Sequence, residues 1–219
     1  MRFLPLLPIL LLAISGCRLH AGAPERPQPV VAGYSQDVEV DSERGRIRIT
    51  ELTRGLENPW SLALLPDGNM LVSERPGRLL KLDAKGNLLA QIEGLPTIFV
   101  DGQAGLLDVV PAPDFASSKL VYLSFAKPNL RGNLAGTAVF RARLEGNALV
   151  DGKVIYEQEP KLSSGTHVGS RLVFDGRGHL FVTQGENNKR PTAQDLDKLQ
   201  GKLVRLDLDG SIPADNPFV

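Results

Sequence analysis

The feature that most constrains this fold is an internal repeat. Leu62 to Glu74, "LALLPDGNMLVSE", aligns without gaps on Leu172 to Gln184, "LVFDGRGHLFVTQ". Gly77 to Asn87, "GRLLKLDAKGN", aligns in the same way on Gly201 to Ser211, "GKLVRLDLDGS". A looser copy lies between them, with "GLLDVVPAPDF", "KLVYLSF" and "TAVFRARLEGN" in the same order. Three units of about 50 to 60 residues therefore fill positions 58 to 211, a period typical of propeller blades.

Within the first unit, "SLALL", "NMLVSE", "RLLKLD" and "LLAQIE" read as four strands joined by the hairpin-type turns "PDG", "RPG" and "AKGN". Apolar and basic residues alternate in "RLLKLD" and "KLVRLD", a period of two that favours strand over helix. Only "TAQDLDKLQ", residues 192 to 200, reads as helical, forming one or two turns in a loop. The expected class is all-β, a propeller of antiparallel blades. A propeller must close its ring, because open blades leave sheet faces and edges uncovered, and three units do not close one. The third unit stops after its third strand, while "RIRITEL", Arg46 to Leu52, precedes the first blade as an unpaired strand suited to completing a final one. The chain is thus expected to be the amino-terminal portion of a longer protein.

Its start reads as a targeting segment. Arg2 precedes the apolar run "FLPLLPILLLAIS", of signal-peptide length and short for a membrane span, and "ISGC" ends it in the pattern of a bacterial lipobox. The expected organisation is a signal peptide over 1–16, a lipidated Cys17 with a Pro-rich tether over 17–33, and the incomplete propeller over 34–219. This implies the bacterial periplasm, and Arg18 after Cys17, rather than Asp, points to the outer membrane. Cys17 is the only cysteine, which excludes an intrachain disulfide, a Cys-based zinc site and a catalytic thiol elsewhere. With 25 basic and 25 acidic side chains there is no net field to attract nucleic acid or an anionic membrane.

Superposing the units on Leu62, Leu107 and Leu172 and counting back four or five places gives Glu57 and Asn58, Gln103, and His167. The same loop thus carries a polar group in each blade, and such loops converge over a propeller's central channel. Among three histidines, His20 falls in the tether and His179 at the turn position matched by Asn69. His167 is the candidate general base, since neutral imidazole accepts a proton near pH 7. An ordinary solvated loop histidine is the alternative that the residues alone leave open. The cluster "QGENNKR", Gln184 to Arg190, supplies groups for sugar hydroxyls, for calcium, or for capping a turn. No Walker pattern, dinucleotide fingerprint or GxSxG elbow is present.

Four long motifs in order, "LENPWSLALLPDGNMLVSERPGRL", "DGQAGLLDVVPAPDF", "SGTHVGSRLVFDGRGHLFVTQGENN" and "AQDLDKLQGKLVRLDLDGSIPADNPF", closely resemble the soluble pyrroloquinoline quinone (PQQ)-dependent aldose sugar dehydrogenases of the wider glucose/sorbosone dehydrogenase group. The resemblance implies a six-bladed propeller that oxidises an aldose at its anomeric carbon to a lactone, with PQQ and calcium as cofactors and an electron acceptor of unknown identity. It implies His167 as general base, Gln103 facing the cofactor, and Asn187 near the substrate. Where glucose-specific relatives commonly carry Asp beside the base, this chain has Thr166, which implies a broader aldose preference. The family's grips on the quinone carboxylates and its calcium ligands belong to a second half, so no metal ligand is assigned here and the chain alone is expected to turn over little. Two alternatives stand beside this: a calcium-dependent lactonase with Glu186 and Asn187 as ligands, and a non-catalytic envelope-anchored scaffold.

Overall fold

The computed structural model describes residues 29–32 and 37–218. Cys17, His20, the signal segment and most of the tether lie outside the described residues. Alternating side chains and Gly turns produce three antiparallel sheets in succession. The first contains β5 (Pro59–Leu64), β6 (Met70–Glu74), β7 (Arg78–Leu82) and β8 (Leu88–Gln91), each paired with the next. The second has β9 (Leu106–Pro111), β10 (Leu120–Pro128), β11 (Ala135–Glu145) and β12 (Ala148–Glu157) in the same order, with a single helical turn, α1 (Phe115–Ser118), after β9. The third has β13 (Gly169–Phe174), β14 (His179–Gln184) and β15 (Leu203–Asp207). These are three propeller blades, with the boundaries that the repeat predicts.

The period-two alternation explains how the blades stack. In β10, Val121, Leu123 and Phe125 turn toward the first blade and join Leu71, Leu79, Leu106 and Val109 in one buried cluster. The intervening Tyr122 turns the other way and packs with Val139, Leu172, Leu180, Val182 and Leu206 against the third blade. Tyr122 meets Phe174 edge-on at 5.1 Å between ring centroids, and its hydroxyl donates to the Leu208 carbonyl at 2.8 Å. At the inner strands a single carboxylate joins all three blades. Asp108 on β9 has no solvent exposure; it accepts from Ser61 Oγ at 2.6 Å, Arg171 Nη1 at 2.9 Å and the Leu172 amide at 2.8 Å. Arg171 also lies over the Trp60 ring, 4.5 Å from its centroid.

Two expectations need correction. The segment Arg46 to Leu52 is not an unpaired strand: its first part lies in β3 (Gly45–Ile49), which pairs with β2 (Val38–Ser42) in an exposed hairpin. The register opposes Glu39 to Arg48 and Asp41 to Arg46, so cross-strand charges of opposite sign favour it. Ahead of the first blade, β1 (Val31–Ala32) pairs with β4 (Thr53–Arg54). The one or two helical turns expected over 192 to 200 are shorter and start earlier. A 3-10 turn over Arg190–Gln194 starts with Pro191 in its first turn, and Asp195 is already extended at φ −87°, ψ 114°.

Candidate functional site

Because β9 and β13 both start at the same end of their blades, the loops leading into them lie side by side. They are zipped together by backbone bonds from Gln103 and Ala104 to the Gly165 carbonyl, at 2.7 and 3.0 Å. Gln103 Oε1 then accepts the His167 amide at 2.8 Å, so two of the residues singled out by position in the repeat are in direct contact. Asn58, from the matching loop of the first blade, joins the group through Arg75. That guanidinium donates to Asn58 Oδ1 at 3.1 Å and to the Ala104 carbonyl at 3.5 Å, and makes no ion pair with a described carboxylate. Glu57 goes elsewhere, toward Arg78 at 3.6 Å, and serves the first blade.

The side chain that organises His167 is Glu186, whose Oε1 lies 2.6 Å from His167 Nδ1. The β13–β14 ladder ends with Gly169 opposite Gln184, and beyond it the Gly185 amide donates to the Val168 carbonyl at 3.2 Å and the Asn187 amide to the His167 carbonyl at 3.1 Å, which brings Glu186 alongside His167. With Nδ1–H donating to the carboxylate, Nε2 keeps its lone pair, and the imidazole side chain is 44% exposed. The hydrogen bond from His167, aided by the backbone amide of Glu186 itself, holds the Glu186 carboxyl below the usual glutamate range. An ionised Glu186 accepts the Nδ1 hydrogen and so fixes the ring tautomer.

The sequence places Glu186 among groups for sugar, for calcium or for capping a turn. No local signal marks its role, since 19 residues separate the two side chains. Asn187 is also at the site but is 2% exposed, with its amide bonded to the His167 carbonyl and its Nδ2 to the Thr166 carbonyl, both at 3.1 Å. Thr166 Oγ1 accepts from Asn188 Nδ2 at 2.7 Å. His167 and Asn187 both have left-handed backbones, at φ 47° and 52°. Such conformations are uncommon for residues with a Cβ and concentrate at functional sites. His179 pairs with Asp175 in its own turn at 2.7 Å, repeating the Asp67–Asn69 turn of the first blade. No cluster of three or more His, Cys, Asp or Glu side chains suited to a metal occurs among the described residues.

One face of these β-propeller blades thus carries a histidine in a left-handed loop whose ring is oriented by a carboxylate. The sequence profile of the Glucose / Sorbosone dehydrogenase family matches residues 56–219, and the chain belongs to that family. It is 51% identical over 176 residues to the aldose sugar dehydrogenase YliI of Escherichia coli, covering 79% of this chain and 47% of that protein. The solved apo-form of the soluble aldose sugar dehydrogenase from Escherichia coli superposes with a TM-score of 0.71 at 53% identity, over 75% of this chain and 48% of that one. The PQQ-bound aldose sugar dehydrogenase from Streptomyces coelicolor gives 0.67 at 30% identity, over 75% and 48% of the two chains. The chain thus spans about half the length of these relatives.

Proposed function

We propose that this chain carries the base-bearing half of a PQQ-dependent aldose dehydrogenase that oxidises the anomeric carbon to a lactone. The observation that carries the reading is the His167–Glu186 pair on the propeller face, with Nε2 free to accept the C1 hydroxyl proton. Positioned general bases contribute about 10²- to 10⁴-fold to rate. Withdrawing that proton as the C–H bond breaks makes hydride departure easier, so the base must sit within hydrogen-bond reach of the hydroxyl.

The donors present suit a polycarboxylate quinone. Gln103 Nε2 makes no hydrogen bond to a described residue, and Arg75 beside it meets only neutral oxygens. These two would hold the cofactor through its oxygens and carboxylates, with further cations needed for the rest. When bound, PQQ supplies the electron sink that accepts hydride. Calcium enters only as part of this reading, with no ligand assigned among the described residues. The relatives named above support an aldose as substrate, Thr166 beside the base fits a broad aldose preference, and the electron acceptor is left unassigned. In the same reading Cys17 anchors the protein in the outer membrane, facing the periplasm.

The test uses the full-length protein reconstituted with PQQ and calcium, a panel of aldoses and a dye acceptor. The reading expects dye reduction that requires PQQ and produces the lactone. Lactone hydrolysis without an acceptor, or a folded protein with no PQQ-dependent oxidation, would refute it.

A further inference from the structure

Three bonds besides the Glu186 contact determine where His167 sits. Gln103 Oε1 takes its amide at 2.8 Å, the Asn187 amide reaches its carbonyl at 3.1 Å, and Asn187 Nδ2 ties down the preceding carbonyl, that of Thr166, at 3.1 Å. Asn187 is 2% exposed, and its Oδ1 is sealed from solvent without a hydrogen-bond partner. An atom that a water-sized sphere cannot touch does not reach a sugar hydroxyl. Its Nδ2 is already committed. Neither end of this amide is free for a ligand, although resemblance alone placed Asn187 near the substrate.

We propose that Asn187 is a positioning residue for His167 and makes no contact with the sugar. The two residues share a left-handed backbone, φ 52° and 47°, across facing ends of one hairpin. Although Asn and His enter that region more readily than most, it is less favourable than the right-handed one for any residue with a Cβ. The amide of Asn187 acts against this by fixing the peptide that enters His167, while its own backbone fixes the peptide that leaves. With Glu186 on Nδ1, only Nε2 remains free, aimed by the loop rather than by ring rotation.

This inference rests on His167 being the base, and its test separates the two claims. Asn187→Gly accepts φ 52° without strain, keeps the backbone amide and removes only the side chain. Asn187→Asp keeps the shape and replaces the donor with an acceptor, which serves if the glycine variant does not fold. In the PQQ-loaded full-length protein both variants should lower kcat by about 10- to 100-fold, the cost of roughly ångström misplacement. KM should stay within about twofold for every aldose, because no sugar contact is removed. In the cofactor-free protein, ¹⁵N NMR of the His167 ring should change from one Nδ1-protonated tautomer to a mixture. An unchanged tautomer signature, or a KM that rises by different amounts for different sugars while kcat holds, would overturn the proposal. If the unsubstituted protein oxidises no aldose, the dehydrogenase reading fails and the NMR comparison alone decides the role of Asn187.

Discussion

Replacing Asp108 with alanine tests how three inner strands from three blades are held together. The carboxylate has no solvent exposure and receives hydrogen bonds from Ser61 Oγ, Arg171 Nη1 and the Leu172 amide. Removing it leaves the buried Leu172 amide unpaired, at about 1–3 kcal/mol. The Ser61 hydroxyl loses one net hydrogen bond, about 1 kcal/mol. Arg171 is 53% exposed and rehydrates, so its ion pair contributes no more than about 1 kcal/mol. The sum is about 3 kcal/mol, which for a chain of this size corresponds to a Tm lower by roughly 6–12 °C. Asp108→Asn should fall in between, since one carbonyl oxygen can serve Leu172 or Arg171 but not both. Thermal and urea unfolding of the three proteins measure this. A loss below about 1 kcal/mol for Asp108→Ala would refute the reasoning, because the strands would then hold their spacing by apolar packing alone.

Further outcomes follow from the same geometry. The Glu186 carboxyl, depressed by its bond to His167, should titrate below an ordinary glutamate by ¹³C NMR, and His167→Ala should move its midpoint back up toward the ordinary glutamate range. The sign for stability follows: the pairing contributes above the ordinary glutamate pKa and is lost as pH falls through the depressed one. Gly185→Ala would set a Cβ 1.7 Å from the His167 carbonyl oxygen, which is backbone and cannot give way, so kcat should fall by about 100-fold or more as the loop shifts. Tyr122→Phe removes a hydroxyl that donates to the Leu208 carbonyl and should cost about 1 kcal/mol in urea unfolding, with no effect on KM.

The blades were legible because each strand carries its own signal. Alternation in β7 or β10 is local, and the Gly turns that separate strands recur at fixed places in the repeat. The same superposition found His167 and Gln103, because blade symmetry puts equivalent loops at one end. What escaped is set by partners distant in the chain. Glu186 reads as one polar residue in "QGENNKR" until the loops beyond the β13–β14 ladder bring its carboxylate to His167. Asp108 is a lone charge in the apolar run "LLDVV", and nothing nearby in sequence announces that Ser61 and Arg171 will meet it from two other blades. The β2–β3 hairpin was missed because residues on both of its faces are exposed, so no buried face marks it. The helical turns expected over 192 to 200 are cut short to a 3-10 turn that begins at Arg190 with Pro191 and ends before the extended Asp195.

The central claim is that His167 accepts the proton of the sugar hydroxyl. Its most direct test is kcat for His167→Ala beside the unsubstituted full-length protein, at matched PQQ occupancy and saturating aldose. The account predicts a fall of about 10²- to 10⁴-fold with the cofactor still bound. A variant that keeps more than about a tenth of the activity would contradict it, and the base would have to be sought elsewhere.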